Sequence, residues 1–428
     1  MSAAPRRVRG AGAAAAGMLV VALTAWVPPL AAQNLLVPMD RSQTDHLKAY
    51  GLTFHVLERG RTAEWFLNFQ GGAFLLPDLD WVRAEAAFRG VLTVPVGAAD
   101  VARIRGIVAQ GNMEAVPLEK APRIAVYTPP NSAPWDDAVT MALEYAQIPY
   151  EQIWDAEVVG GTLQDYDWLH LHHEDFTGQY SKFYLTYAGA AWLQEEVSRN
   201  QSMARQLGFA SVPDLKKGVA RAIRDYVEGG GFLFAMCSAT ETLELALAAG
   251  PVDIAAAHAD GTPPDPEANR KMDWGAAMAF ENAQVQTAPT VNAFSDIDSH
   301  QVNTAWRKEL GVFTLFDFSA KFDPVPAMLT QNHEAVIQDF YGLTTAFNEN
   351  RIRPGTVVLA REAEWAKYIH GSFGEGTFTF FGGHDPEDPE HQIGDPTTDL
   401  GLHPNSPGYR LILNNVLFPA AKKKQLKT

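Results

Sequence analysis

A single cysteine, Cys237, sits where a nucleophile would. The apolar run Phe232–Met236 reads as a strand. It follows the stop signal Gly229-Gly230-Gly231 and precedes a helical segment over Thr240–Ala248. A thiol between a strand and a helix stands on a sharp turn. The helix amides there lower its pKa, and the Ser238 N–H is aimed at a developing oxyanion. Such a turn needs small residues on either side, and Ala235 and Ala239 supply them. The bland alternative is a cysteine buried as a small hydrophobe.

A second cluster lies downstream. Thr377–Phe381 reads as a strand ending in Gly382-Gly383, and His384-Asp385-Pro386-Glu387 follows at once. His384 is placed to act as general base, with Glu387, or else Asp385, orienting it. Against this stands a plain loop histidine with a capping aspartate. A third cluster, His170, His172, His173 and Glu174, ends the strand Trp168–Leu171 and is expected to line a pocket near the thiol. Alternation puts His170 and His172 on one face and His173 on the other. Gly178 is the candidate second oxyanion donor. With Asp175 and His384 these residue types suit zinc, but their spacing is not a metal signature, so no metal is expected. The acidic run Asp385, Glu387, Asp388, Glu390 and Asp395 lacks the spacing of a calcium loop. No phosphate loop or dinucleotide fingerprint occurs, and no cofactor is expected.

The elements that must position these groups alternate. A helix is expected over Asp40–Glu58, capped by Asp40 or Ser42, then strands at 65–69 and 73–76 and a helix at 100–110. From Arg123 the pattern is regular: strands at 124–127, 152–154, 168–171, 232–236, 356–360 and 377–381, and helices at 135–146, 219–227, 240–248 and 407–417. Strands alternating with helices predict an α/β fold, a parallel sheet with helices on both faces. Residues 33–119 form an N-terminal subdomain ahead of a main domain over 120–420, with a basic tail at 421–428.

Residues 1–32 read as a signal peptide. Arg6, Arg7 and Arg9 precede an Ala-rich apolar run, and Leu30-Ala31-Ala32 resembles a cleavage site, so the chain is expected to be exported, periplasmic or secreted. The run is short for a membrane span and Pro28-Pro29 interrupts it. Removing its three arginines takes the formal charge from −16 to −19. An acidic chain disfavours nucleic acid. The expected partner is a small-molecule, carbohydrate or peptide substrate, with no stable membrane span after cleavage.

The strand–Cys–helix turn, followed far downstream by strand–His-x-Pro-Glu, resembles the class I glutamine amidotransferase-like superfamily. The stretches Tyr226–Phe232, Ser238-Ala239 and Phe380–Asp385 are similar to its trehalose-utilisation-type members. The resemblance implies a flavodoxin-like sheet and a Cys-His-acid triad over roughly residues 120–420. The sequence departs from the family at two points. Alanines replace both glycines of the usual Gly-x-Cys-x-Gly turn, and Glu387 falls one place later than in the usual His-x-Glu. His46–Gly51, Leu67–Gly72 and Pro404–Arg410 also resemble exported bacterial proteins labelled asparagine synthetase B. The N-terminal cysteine and pyrophosphate loop of true asparagine synthetases are missing here. The expectation is a cysteine-dependent amide hydrolase or acyl transferase. The alternatives are a non-catalytic binding or scaffold protein on the same fold and a metal-dependent hydrolase.

Overall fold

The computed structural model describes Met1 and residues 34–130, 137–291, 293–298, 311–330, 334–389 and 395–421. The expected signal peptide, the lysines of the basic tail and Glu390 lie outside these residues. Among the described residues no helix is long and apolar enough to cross a membrane.

Residues 34–118 build a five-stranded antiparallel sheet. Its strands are β1 (Asn34–Val37), β2 (Ala63–Leu67), β3 (Ala73–Pro77), β4 (Val94–Val96) and β5 (Glu114–Leu118), in the order β4-β1-β3-β2-β5. Helix His46–Glu58 begins later than its apolar spacing suggests. Asp45 is its cap, accepting the Lys48 N–H, whereas Asp40 binds the Ser42 N–H and hydroxyl in a turn before the helix.

The second sheet contains β6 (Ile124–Tyr127), β7 (Glu151–Ile153), β8 (Trp168–Leu171), β9 (Phe232–Met236), β10 (Val312–Leu315), β11 (Val336–Gln338), β12 (Val357–Glu362), β13 (Trp365–Phe373) and β14 (Gly376–Phe381). Its order is β11-β10-β12-β13-β14-β9-β8-β6-β7. From β14 to β7 neighbouring strands run parallel; from β14 to β11 they run antiparallel. The flavodoxin-like parallel sheet expected from the sequence is therefore not what forms: the large sheet is mixed, and a separate antiparallel sheet stands beside it in the chain. The cause is local. β12, β13 and β14 follow one another through two-residue turns, and hairpins of that length force antiparallel pairing. Ala363 (φ 49°) and Gly374 (φ 59°) supply the left-handed backbone these turns need. A Cβ at Gly374 would also lie 2.5 Å from the Glu228 carbonyl oxygen. β13, unforeseen in the sequence, is the strand that reverses the direction.

Side chains alternate across the parallel half. Trp168, Phe232, Phe234 and Met236 pack in one core with helices His46–Glu58, Ala138–Ala146 and Pro407–Leu417. Leu169, Leu171, Leu233 and Ala235 pack in another with helices Val212–Glu228 and Cys237–Ala249. Helix Val212–Glu228 starts a full two turns before its expected residue 219, because the Ser211 hydroxyl accepts the Asp214 N–H and Pro213 suits the first turn.

One polar contact inside the sheet bears on the site. Lys367, on β13, is fully buried with its ammonium 2.5 Å from an Asp339 oxygen. It donates to the carbonyls of Phe340 (3.0 Å) and Thr345 (2.8 Å). It thus holds both ends of the loop 340–345. Removing one member of a buried pair strands the other charge. Lys367→Met is expected to destabilise the chain by roughly 3–5 kcal/mol in urea unfolding, and adding Asp339→Asn is expected to recover part of that loss.

Candidate active site

Cys237 lies where β9 passes into helix Cys237–Ala249, with φ at 50°. A non-glycine residue in that region is strained and needs its surroundings to hold it. The flanking Ala235 and Ala239 are fully buried, as the turn requires. Three hydrogen bonds tie the first turns of the helix to the loop after β8. The Ala239 N–H donates to the His172 carbonyl at 3.1 Å, the Ser238 hydroxyl to that of His173 at 3.0 Å and the Thr242 hydroxyl to that of Glu174 at 2.8 Å. The histidine loop and the thiol therefore share one frame.

From the thiol a line of polar groups runs into the protein. Burial alone would raise the pKa of Cys237, but a hydrogen bond with His384 and another from the Leu343 N–H bring it below the ordinary thiol value. His384 Nδ1 is 3.0 Å from His172 Nε2. His172 Nδ1 is 3.4 Å from Asp137 Oδ1, within ion-pair reach but short of hydrogen-bond geometry. Asp137 caps helix Ala138–Ala146, accepting the Val139 and Thr140 N–H groups at 2.8 and 3.1 Å, and His170 Nε2 lies 3.2 Å from the same oxygen. Burial would raise the Asp137 carboxyl; the imidazoles of His170 and His172 hold it well below the usual carboxylate range instead. Burial is also what lowers His172 to about 3, ahead of the opposing attraction of Asp137. His170 places its other nitrogen 3.1 Å from the Phe234 carbonyl oxygen, which fixes its ring against β9.

A loop covers the thiol. Cys237 is 2% exposed. A Cβ at Gly342 would lie 2.9 Å from its Sγ, so only glycine lets the loop come this close. The glycines that end β14 serve the same approach. A Cβ at Gly382 would overlap the Thr345 carbonyl oxygen at 2.1 Å, and one at Gly383 (φ 98°) would overlap that of Phe340 at 2.2 Å. The Gly383 and His384 N–H groups donate to the Thr344 and Tyr341 carbonyls, both at 2.9 Å. Glu241, one turn beyond Cys237 and buried, accepts the Thr344 hydroxyl at 2.9 Å. Its carboxyl is pushed up to about 8 by burial first and then by Asp298.

The structure brings together Cys237, Ser238, His384, His172 and His173, and puts His170 one residue step behind them. The two acids expected to orient His384 have partners elsewhere. Asp385 accepts the Glu387 N–H at 2.9 Å and the Thr398 hydroxyl at 2.7 Å, while Glu387 pairs with His403 at 2.9 Å. The group that orders His384 is His172, and the carboxylate behind it is Asp137, which the sequence did not single out. Its only local signal is an aspartate capping a helix after a strand. Gly178 is not an oxyanion donor: its N–H donates to the Asp175 carbonyl at 3.1 Å, and its φ of 73° and contact with Pro213 explain the glycine. The Leu343 N–H is the donor found at the thiol instead. His173 does not turn to the opposite face, because β8 ends at Leu171 and strict alternation ends with it; its ring centroid is 5.3 Å from that of His172. Glu174, raised by burial, accepts the His172 N–H at 2.8 Å.

The depressed pKa of His172 has a consequence for stability. Between its ordinary value of 6.5 and about 3, the unfolded chain binds a proton there that the folded chain does not. The stability it contributes is whole above pH 6.5 and is lost as the pH falls toward 3. In unfolding measured between pH 6 and 4, His172→Gln is expected to lose about 1.4 kcal/mol less per pH unit than the unmodified chain; parallel curves would show that His172 is not held neutral.

No family model matches the chain, and no curated protein does. Among solved structures it is similar to the Cytoplasmic Protein STM3548 from Salmonella typhimurium, at 11% identity and a TM-score of 0.34, over 70% of this chain and 100% of that one. The Cytoplasmic Protein STM1381 from Salmonella typhimurium LT2 is similar at 11% identity and a TM-score of 0.35, again over 70% of this chain and 100% of that one.

Proposed function

We propose that the chain is a cysteine-dependent amide hydrolase or acyl transferase, related in its chemistry to the class I glutamine amidotransferases. The observation that carries this reading is the line Cys237–His384–His172–Asp137 at a strained strand-to-helix turn. Cys237 Sγ attacks a carbonyl carbon as its proton passes to His384. The tetrahedral oxyanion is met by amides at the helix start, with Ser238 among them. His384 then returns the proton to the departing amine, leaving an acyl-thioester. Water or another acceptor attacks that thioester, with His384 again taking the proton. His172 holds the ring of His384, and Asp137 holds His172, so the carboxylate acts at one remove. The substrate is an amide or ester of a small molecule, carbohydrate or peptide. The basic-then-apolar first 32 residues support export of the mature chain.

A second reading, a binding protein without turnover, is favoured by the depth of the thiol: a carbonyl reaches Cys237 only after the loop 340–345 moves. The two readings separate on a panel of model amides and esters. Under the catalytic reading, Cys237→Ser and His384→Ala each lower kcat/KM by at least about a thousandfold, and Asp137→Asn lowers it by roughly tenfold to a hundredfold with folding retained. Turnover that survives in Cys237→Ser would overturn it. A ligand that raises the Tm equally in the unmodified chain and Cys237→Ser, with no turnover in either, would establish the second.

A further inference from the structure

The proposed chemistry uses two of the three imidazoles that meet beyond β8, and His173 has no part in it. One ring nitrogen from each of His172, His173 and His384 lies within 4.8 Å of the others. The ring centroids are 4.6 Å apart for His172 and His384, 5.3 Å for His172 and His173, and 5.9 Å for His173 and His384. A tetrahedral ion with bonds of about 2.0–2.1 Å sets its ligand nitrogens roughly 3.3 Å apart. His172 Nε2 and His384 Nδ1 are already at 3.0 Å. A small rotation of His173 closes the set.

The surroundings fit an ion as well as the rings do. Imidazoles that bind zinc are backed on their other nitrogen by a carboxylate or another acceptor, which fixes the tautomer. His172 Nδ1 faces Asp137 at 3.4 Å, and Asp137 is itself fixed by two helix amides and His170. His384, with Nδ1 engaged by His172, lies beside the Cys237 thiol. The Asp137 carboxylate, behind His172, offsets part of the charge of a divalent cation.

We propose that His172, His173 and His384 bind a divalent ion of the zinc class, and that the bound ion takes His384 out of service as a base. An imidazole ligated through one nitrogen has one nitrogen left. A neutral imidazole bound this way carries its one hydrogen on that nitrogen, so no lone pair remains there to accept the proton of Cys237. The ion thus leaves the thiol without its base. The site stands on the histidine geometry; the silencing rests on His384 serving as base.

The test uses the full chain freed of metal with a chelator. Calorimetric titration with zinc chloride is expected to give one ion per chain, and His173→Ala is expected to weaken uptake roughly a hundredfold while keeping the Tm. Titration of the unmodified chain with cobalt(II), which needs no variant, is expected to give the visible bands of a four-coordinate ion without an intense thiolate charge-transfer band. No saturable uptake of either ion would overturn the proposal. So would uptake that His173→Ala leaves unchanged, or a strong thiolate band, which would put Cys237 in the ligand set. Failure of the catalytic reading looks different: the metal-free chain would bind zinc yet show no turnover on the amide and ester panel. A metal-free chain that turns over substrate but ignores zinc would sink this proposal alone.

Discussion

The carboxylate of Asp137 is buried at the carboxyl end of the parallel half-sheet, and the arrangement of the site depends on it. An ionised carboxylate out of water is costly unless it is paired and hydrogen-bonded. Here the two amides at the start of helix Ala138–Ala146 and the imidazole of His170 meet that cost. Once fixed, Asp137 gives His172 one defined orientation, His172 gives one to His384, and His384 faces the thiol. The carboxylate sits on one strand's exit, the imidazoles on two others and the thiol on a fourth. Only a sheet that brings β6, β8, β9 and β14 side by side can assemble them.

The mixed character of the sheet then has a purpose. The antiparallel flank brings Lys367 under the loop 340–345, and Lys367 holds the loop by the Phe340 and Thr345 carbonyls. Glu241 holds it from the helix side through Thr344. The loop in turn presents the Leu343 amide to the sulfur. Gly342, Gly382 and Gly383 mark the places where backbone passes too close for any side chain. Cover and thiol are therefore one packed unit. Access to the thiol is a question of how this loop opens, since the strained turn beneath it is locked by three hydrogen bonds to the histidine loop.

Much of this was legible in the sequence, and the failures share a cause. The strand Phe232–Met236, the thiol at its end, the strand before His384 and the last helix Pro407–Leu417 are local patterns, and the structure has them there. No local signal marks β13 between its neighbours, so in sequence β12 and β14 read as members of a parallel series, while the hairpins on either side of β13 reverse the direction. Asp385 and Glu387 stand out as candidate acids because they adjoin His384 in sequence. The chosen partner, His172, is 212 residues away, and Asp137 stands 33 residues before His170. Pairings of that separation leave no periodic or spacing signal. Gly178 reads in sequence as a backbone donor, while its own contact with Pro213 accounts for it.

The alkylation rate of Cys237 in the folded chain against pH separates an activated nucleophile from a core residue. The chain has no other cysteine, so the signal belongs to one atom. An activated thiol is expected to react in the folded state with an apparent pKa below the ordinary value of about 8.5, moving upward in His384→Ala. A thiol that reacts only on unfolding, or a profile that His384→Ala leaves in place, would contradict it.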